Sequence, residues 1–233
     1  MTEAHWLTAT DFTEHVRFAE GRLSPRRQRL LAAGFCRAVS HLFDHPDLSA
    51  ALAVVERFAD GRASVADIEK ARQQCRALAQ QSHDGSGAKG DVRSELAWAV
   101  SLAAGGQLTL TDVGGRAANA AVQAQTGVVL LVSVSSPAFD AAAAEQKVVM
   151  RGVVWDVVGN PFRPVAFDPA WRTDTAVALA RHVYESREFG AMPILADALQ
   201  DAGCDSDEVL DHCRHGSGHV RGCWVLDGVL GKE

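Results

Sequence analysis

Aromatic residues are scarce in this chain, 6% of the total with a single tyrosine. Strands draw on aromatic and β-branched residues, whereas alanine, abundant here, costs least in a helix. The shortage therefore argues against a sheet-dominated fold. Long apolar runs are also missing. The valine-rich run at residues 128–134 is interrupted by Ser133 and falls far short of the roughly 20 residues that span a bilayer. Positive charge is not in excess: the formal net charge is −6, which disfavours the phosphate neutralisation that non-specific nucleic-acid binding relies on. The one basic cluster, Arg26-Arg27-Gln28-Arg29, opens a helix and reads as its solvated face. No Cys-x-x-Cys occurs, so thioredoxin-like redox work has no support. Gly85-Ser86-Gly87-Ala88-Lys89-Gly90 lacks the Walker spacing and follows no strand, and the pairs Gly105-Gly106 and Gly114-Gly115 match no dinucleotide fingerprint. The opening residues lack a basic region followed by an apolar one. With five cysteines, an odd number, this leads us to expect a cytoplasmic protein with reduced thiols.

What is present reads as helix after helix. Asp11 with Glu14 has a capping-box pattern, and Ser24-Pro25 places a cap residue before proline at the first helical position. Leu30, Leu31, Gly34, Phe35, Ala38, Val39 and Leu42 then recur at helical spacing. Leu48, Leu52, Val55 and Phe58 make the next apolar stripe, and Ser64 with Asp67 starts a helix bearing Ile68, Ala71, Cys75 and Leu78. The Gly-rich stretch 83–91 reads as a linker. It suggests an N-terminal half, 1–82, and a C-terminal half, 91–233, or one continuous domain. Residues 105–136 are ambiguous. The alanine-rich flanks favour a helix over 116–132, while 128–135 pairing with 107–111 would make a small β-hairpin. Pro137 opens a helix to Gly159. Gly159-Asn160-Pro161-Phe162-Arg163-Pro164 must be a turned or extended loop. Thr173 or Asp174, Pro193, and Asp205 or Ser206 start three more helices, and an apolar element runs from 220 to 230. The expected fold is all-α, an array of about nine or ten helices.

The opening Met1-Thr2-Glu3, Trp6-Leu7 and Thr10-Asp11 resembles the start of a group of uncharacterised planctomycete proteins. So do Gly159-Asn160-Pro161-Phe162-Arg163-Pro164-Val165, Asp168-Pro169-Ala170-Trp171 and the closing His219-Val220-Arg221-Gly222-Cys223-Trp224-Val225-Leu226-Asp227. Residues 195–203 are similar to the core of the short planctomycete repeat-companion domain. The resemblance covers about two thirds of the chain and is vague between 80 and 150. The chain departs from the group's pattern at Gly34-Phe35-Cys36, where a cysteine pair is common, and in the valine-rich 128–134. The resemblance implies a mostly helical, intracellular bacterial protein and brings no activity with it.

The last thirty residues hold the densest chemistry, with three of the five cysteines and three of the nine histidines. Cys204, His212, Cys213, His215, His219 and Cys223 are the candidate metal ligands, because zinc takes imidazole nitrogen and thiolate sulfur. His41 or Cys36 could complete such a set. His215-x3-His219-x3-Cys223 has the spacing of successive helical turns, but Gly216 and Gly218 work against one continuous helix there. A reactive thiol at Cys213 or Cys223, and a corner knitted together for burial alone, are the competing readings. Glu56 with Asp60, and Asp197 with Asp201, lie four apart and could act as acid–base pairs, or pair with arginines such as Arg37, Arg163, Arg214 and Arg221. In the 160–163 loop, Phe162 and Arg163 suit a recognition role, as do Arg221 and Trp224, since aromatics and arginine dominate binding hot spots. With no complete catalytic constellation, these features favour a non-enzymatic helical interaction module with a protein partner and no cofactor. The alternative is a metal-binding protein or metal-dependent enzyme that uses zinc at the 204–223 cluster.

Overall fold

The computed structural model describes the backbone of residues 1–42, 45–83, 88–106, 108–126, 136–216 and 218–232, with side chains for the same residues except 82–83 and 88–92. Among the described residues the chain is all-α, with twelve α-helices, two 3₁₀ turns and no strand. None of these helices is long and apolar enough to cross a membrane. The chain divides into two compact units, Met1–Val154 and Trp155–Glu233. The helices flanking the Gly-rich 83–91 stretch both belong to the first unit, and the division falls instead within the helix that begins at Pro137.

The first unit opens with α1 (Glu3–Thr8) and α2 (Phe12–Glu20). The Asp11 carboxylate accepts from the Thr13 amide at 2.9 Å and satisfies one of the donors a helix start leaves over. Next come α3 (Pro25–Ser40), capped by Ser24, α4 (Pro46–Ala59), α5 (Val65–His83), α6 (Ala88–Ala103), α7 (Leu110–Thr126) and α8 (Pro137–Val158). Helix α3 packs against α4, α6 and α7, and α5 lies along α4 and α6. The burial of α3 extends beyond the predicted stripe, because Ala32, Ala33 and Cys36 are enclosed with Leu30, Leu31, Phe35 and Val39. Residues 110–126 are helical, which removes them from the hairpin alternative; residues 127–135 lie outside the described residues.

The second unit starts with the last turn of α8. Gly159 then turns the chain at φ +70°, and the Asn160 side chain accepts from the Phe162 amide at 3.0 Å, so the loop is a hydrogen-bonded Asn-Pro turn. A 3₁₀ turn (Pro169–Trp171) leads to α9 (Asp174–Ser186), capped by Thr173. A second 3₁₀ turn (Phe189–Ala191) leads to α10 (Met192–Asp201), then α11 (Asp207–His215), capped by Ser206, and α12 (Trp224–Leu230). Helix α9 packs against α10 and α12, and α10 against α11. Their shared core contains Tyr184, Met192, Leu195, Leu199, Val209, Leu226 and Val229, and Cys204, Cys213 and Cys223 fill it alongside them.

Candidate metal centre

Two carboxylates, Asp156 and Asp227, are enclosed in the second unit, and Asp156 is the one that histidines surround. Asp156 sits in the last turn of α8, within the otherwise apolar run Val153-Val154-Trp155-Asp156-Val157-Val158, and its side chain is 3% exposed. Burying a carboxylate is unfavourable unless donors meet it. Three do. The Val220 amide donates to Oδ2 at 2.8 Å, His219 Nδ1 lies 2.6 Å from Oδ1, and His212 Nε2 lies 3.1 Å from the same oxygen. Burial alone would raise the Asp156 pKa. The hydrogen bonds from His212 and His219, and then the positive charge these rings can carry, outweigh it and hold the carboxyl below its ordinary value.

The histidines arrive by two routes. His212 lies on the α11 face that also carries the core residues Val209 and Cys213. Helix α11 stops at His215, and glycines turn the chain back: Gly218 has φ +77° and Gly222 φ +96°, conformations that suit glycine. Gly216 serves a different purpose. A Cβ there would lie 2.3 Å from the His212 carbonyl oxygen and 2.5 Å from His219 Cε1, so only glycine lets the returning chain lay the His219 ring against the end of α11. Cys223, at the cap position of α12, brings Sγ to 3.2 Å from His212 Nε2. One oxygen, two ring nitrogens and one sulfur, from Asp156, His212, His219 and Cys223, thus lie within 4.8 Å of one another.

Donor chemistry defines where the ring protons sit. An indole nitrogen can only donate, and Trp224 Nε1 lies 3.2 Å from His212 Nδ1. Nδ1 is therefore the acceptor, and the His212 proton is on Nε2, directed at Asp156 and Cys223. At His219 the carboxylate is the acceptor, so Nδ1 carries the proton. His219 Nε2 is buried and has no hydrogen-bond partner among the described residues. His45 Nδ1 is in the same position in the first unit, so the orphaned nitrogen of His219 gains its interest from the donors around it.

Of the six ligand candidates from the sequence, the structure brings His212, His219 and Cys223 together and leaves the other three elsewhere. Cys204 and Cys213 belong to the apolar core. His215 points outward, 77% exposed, beside Asp211 at 3.5 Å. Cys36 is enclosed in the first unit, and His41 is exposed. The fourth member, Asp156, was not among the sequence candidates. A lone carboxylate inside an apolar helical run is the signal that marks it.

The other candidates resolve into structural contacts. Glu56 pairs with Arg37, and Asp60 with Arg26, so these two carboxylates serve different partners on α3. Asp197 pairs with Arg214 at 2.9 Å. Arg221 is buried over the Tyr184 ring and reaches Glu185 at 3.3 Å, and Trp224 is half-buried against His212. Phe162 is half-buried and Arg163 exposed.

All five thiols are buried. Burial pushes Cys75 and Cys213 up to about 12 and Cys36 higher still. Burial, with the Asp156 charge added, also raises Cys223 well above the usual thiol range. A protonated, enclosed thiol is a poor nucleophile. Iodoacetamide at pH 8 should label none of the five cysteines rapidly in the native protein and all of them after unfolding, as read by intact mass. Rapid modification of a single cysteine would restore the reactive-thiol reading. No protein family, curated protein or solved structure matches this chain.

Proposed function

We propose that the chain is a helical metal-binding protein whose second unit holds one divalent transition-metal ion at Asp156, His212, His219 and Cys223. The observation that carries this reading is the convergence of four ligand atoms of mixed type, all within 4.8 Å, from α8, α11, the glycine-rich return and the α12 cap. A buried site with two nitrogens, one oxygen and one sulfur suits zinc, which takes these donors in a tetrahedron. Four protein ligands leave no open position, so the ion would brace the corner between α11 and α12 rather than activate water. Binding would also free the Cys223 proton, because the thiolate is the ligand.

The partner-binding reading has less behind it. Of its four proposed anchors, Arg221 and Trp224 face inward and Phe162 is half-buried, which leaves Arg163 as the exposed one.

The test is calorimetric titration of the chelator-treated full chain with zinc. One equivalent should bind, and His219→Ala or Cys223→Ser should weaken binding by more than about a hundredfold, since loss of even an outer-shell partner costs 10–100-fold. His215→Ala should bind as the parent does, which separates this cluster from histidine content in general. Absence of stoichiometric binding by the parent chain would end the metal reading.

A further inference from the structure

The indole of Trp224 touches the same site, so the role inferred for it rests on the metal reading. Neutral imidazole has one N–H. A ring that ligates a metal through Nε2 carries its proton on Nδ1 and donates it outward to a carboxylate, carbonyl or water. At His212 the outward partner is the Trp224 indole N–H, 3.2 Å from Nδ1, which has no lone pair in the ring plane to accept with. Metal on Nε2 would therefore set two donors against each other.

The indole is also held in place. Gly159, at φ +70°, closes the end of α8 three residues beyond Asp156, and a Cβ there would lie 3.2–3.4 Å from the Trp224 ring atoms. Phe167 meets the indole edge-on at a centroid distance of 6.0 Å. This seat aims the N–H at His212 and keeps the ring in the non-ligating tautomer.

We infer that Trp224 gates the centre: the indole–imidazole hydrogen bond and a metal on His212 Nε2 exclude each other, so metal binding displaces the indole N–H from His212. The proton balance closes. His212 remains neutral as its proton passes from Nε2 to Nδ1 through solvent, and His219 remains neutral with its one proton on whichever nitrogen does not ligate. Cys223 releases one proton to solvent. The device gives the site a threshold, because the ion must outcompete a formed hydrogen bond, and it couples occupancy to the position of a half-buried tryptophan.

Two measurements on the full-length chain test this. Long-range ¹H–¹⁵N spectra of the metal-free protein, labelled at histidine nitrogen, should show His212 with its proton on Nε2. One equivalent of zinc should move that proton to Nδ1. In parallel, Trp224→Phe keeps an aromatic ring on the Gly159 seat and removes the N–H, and it should bind zinc about fivefold tighter, the scale of one net hydrogen bond. A purely structural tryptophan predicts equal or weaker binding. Parent and variant binding zinc equally would overturn the gate and leave the metal reading standing. A metal-free His212 already protonated on Nδ1 would overturn the gate by itself. Zinc binding by neither protein would overturn the metal reading and the gate together.

Discussion

Asp156→Ala is expected to destabilise the second unit by about 3 kcal/mol or more, because three donors lose their acceptor at once. The carboxylate is the acceptor for His219 Nδ1 at 2.6 Å, the Val220 amide at 2.8 Å and His212 Nε2 at 3.1 Å. Without it, donors from two histidines and one backbone amide are left facing a small void, and each unsatisfied buried group costs about 1–3 kcal/mol. Asp156→Asn keeps one carbonyl oxygen and should lose about half as much. Urea unfolding followed by circular dichroism gives the total. Amide exchange at Val220 separates local opening from global loss, because that N–H should become fast in Asp156→Ala even where the helices persist. A loss below about 1 kcal/mol with Val220 still protected would mean that the three donors find other acceptors and that the carboxylate does not organise this corner.

Helix positions were legible where local chemistry sets them. Ser24, Thr173 and Ser206 each accept from an amide in the first turn of the helix they precede, and helices do begin at Pro25, Pro46 and Pro137. Asp11 caps α2, but Glu14 reaches His5 rather than completing a capping box. Long-range packing hid the rest. Gly114-Gly115 looks like a break, yet both lie inside α7, which starts at Leu110 rather than near 116. A Cβ on Gly114 would meet the Phe12 ring at 2.6 Å and Phe35 at 3.3 Å, so the glycine allows α7 to approach α2 and α3 closely. That tertiary gain overrides glycine's poor helix propensity, and local sequence carries no trace of it.

The site divided in the same way. Spacing within 212–223 brought three of its members to notice, because cysteine and histidine crowd there. The glycines at 216 and 218 correctly argued against a single helix through His215 and His219, and His215 does face away. Asp156 was invisible to spacing because 63 positions separate it from His219. Its local signal, a lone carboxylate in an apolar run, gains weight once α8 is known to bury its last turn. Residue type could nominate the donors, but burial was needed to choose among them.

Glu56→Ala should destabilise the first unit by about 3–5 kcal/mol. Glu56, 2% exposed, receives Arg37 in a fork, Nε to Oε1 at 3.0 Å and Nη2 to Oε2 at 3.2 Å, which ties α4 to α3. Paired geometry of this kind is the strong form of the ion pair. Truncating the acid leaves a guanidinium that is largely enclosed and cannot lose its charge. Replacing both partners with apolar side chains of similar length, Arg37→Met with Glu56→Leu, should recover most of the loss, since buried ion pairs often add little beyond well-packed hydrophobes. Unfolding of the two single variants and the double variant forms a cycle whose coupling term reads the pair directly. The contacts themselves bear on what Glu56 and Asp60 do. An acid–base role for Glu56 and Asp60 requires a group that can exchange its proton with a substrate, and the Arg37 fork and the Arg26–Asp60 contact at 3.0 Å hold both carboxylates in ion pairs between helices instead. A double variant as unstable as Glu56→Ala alone would show that the fork is not what joins α4 to α3.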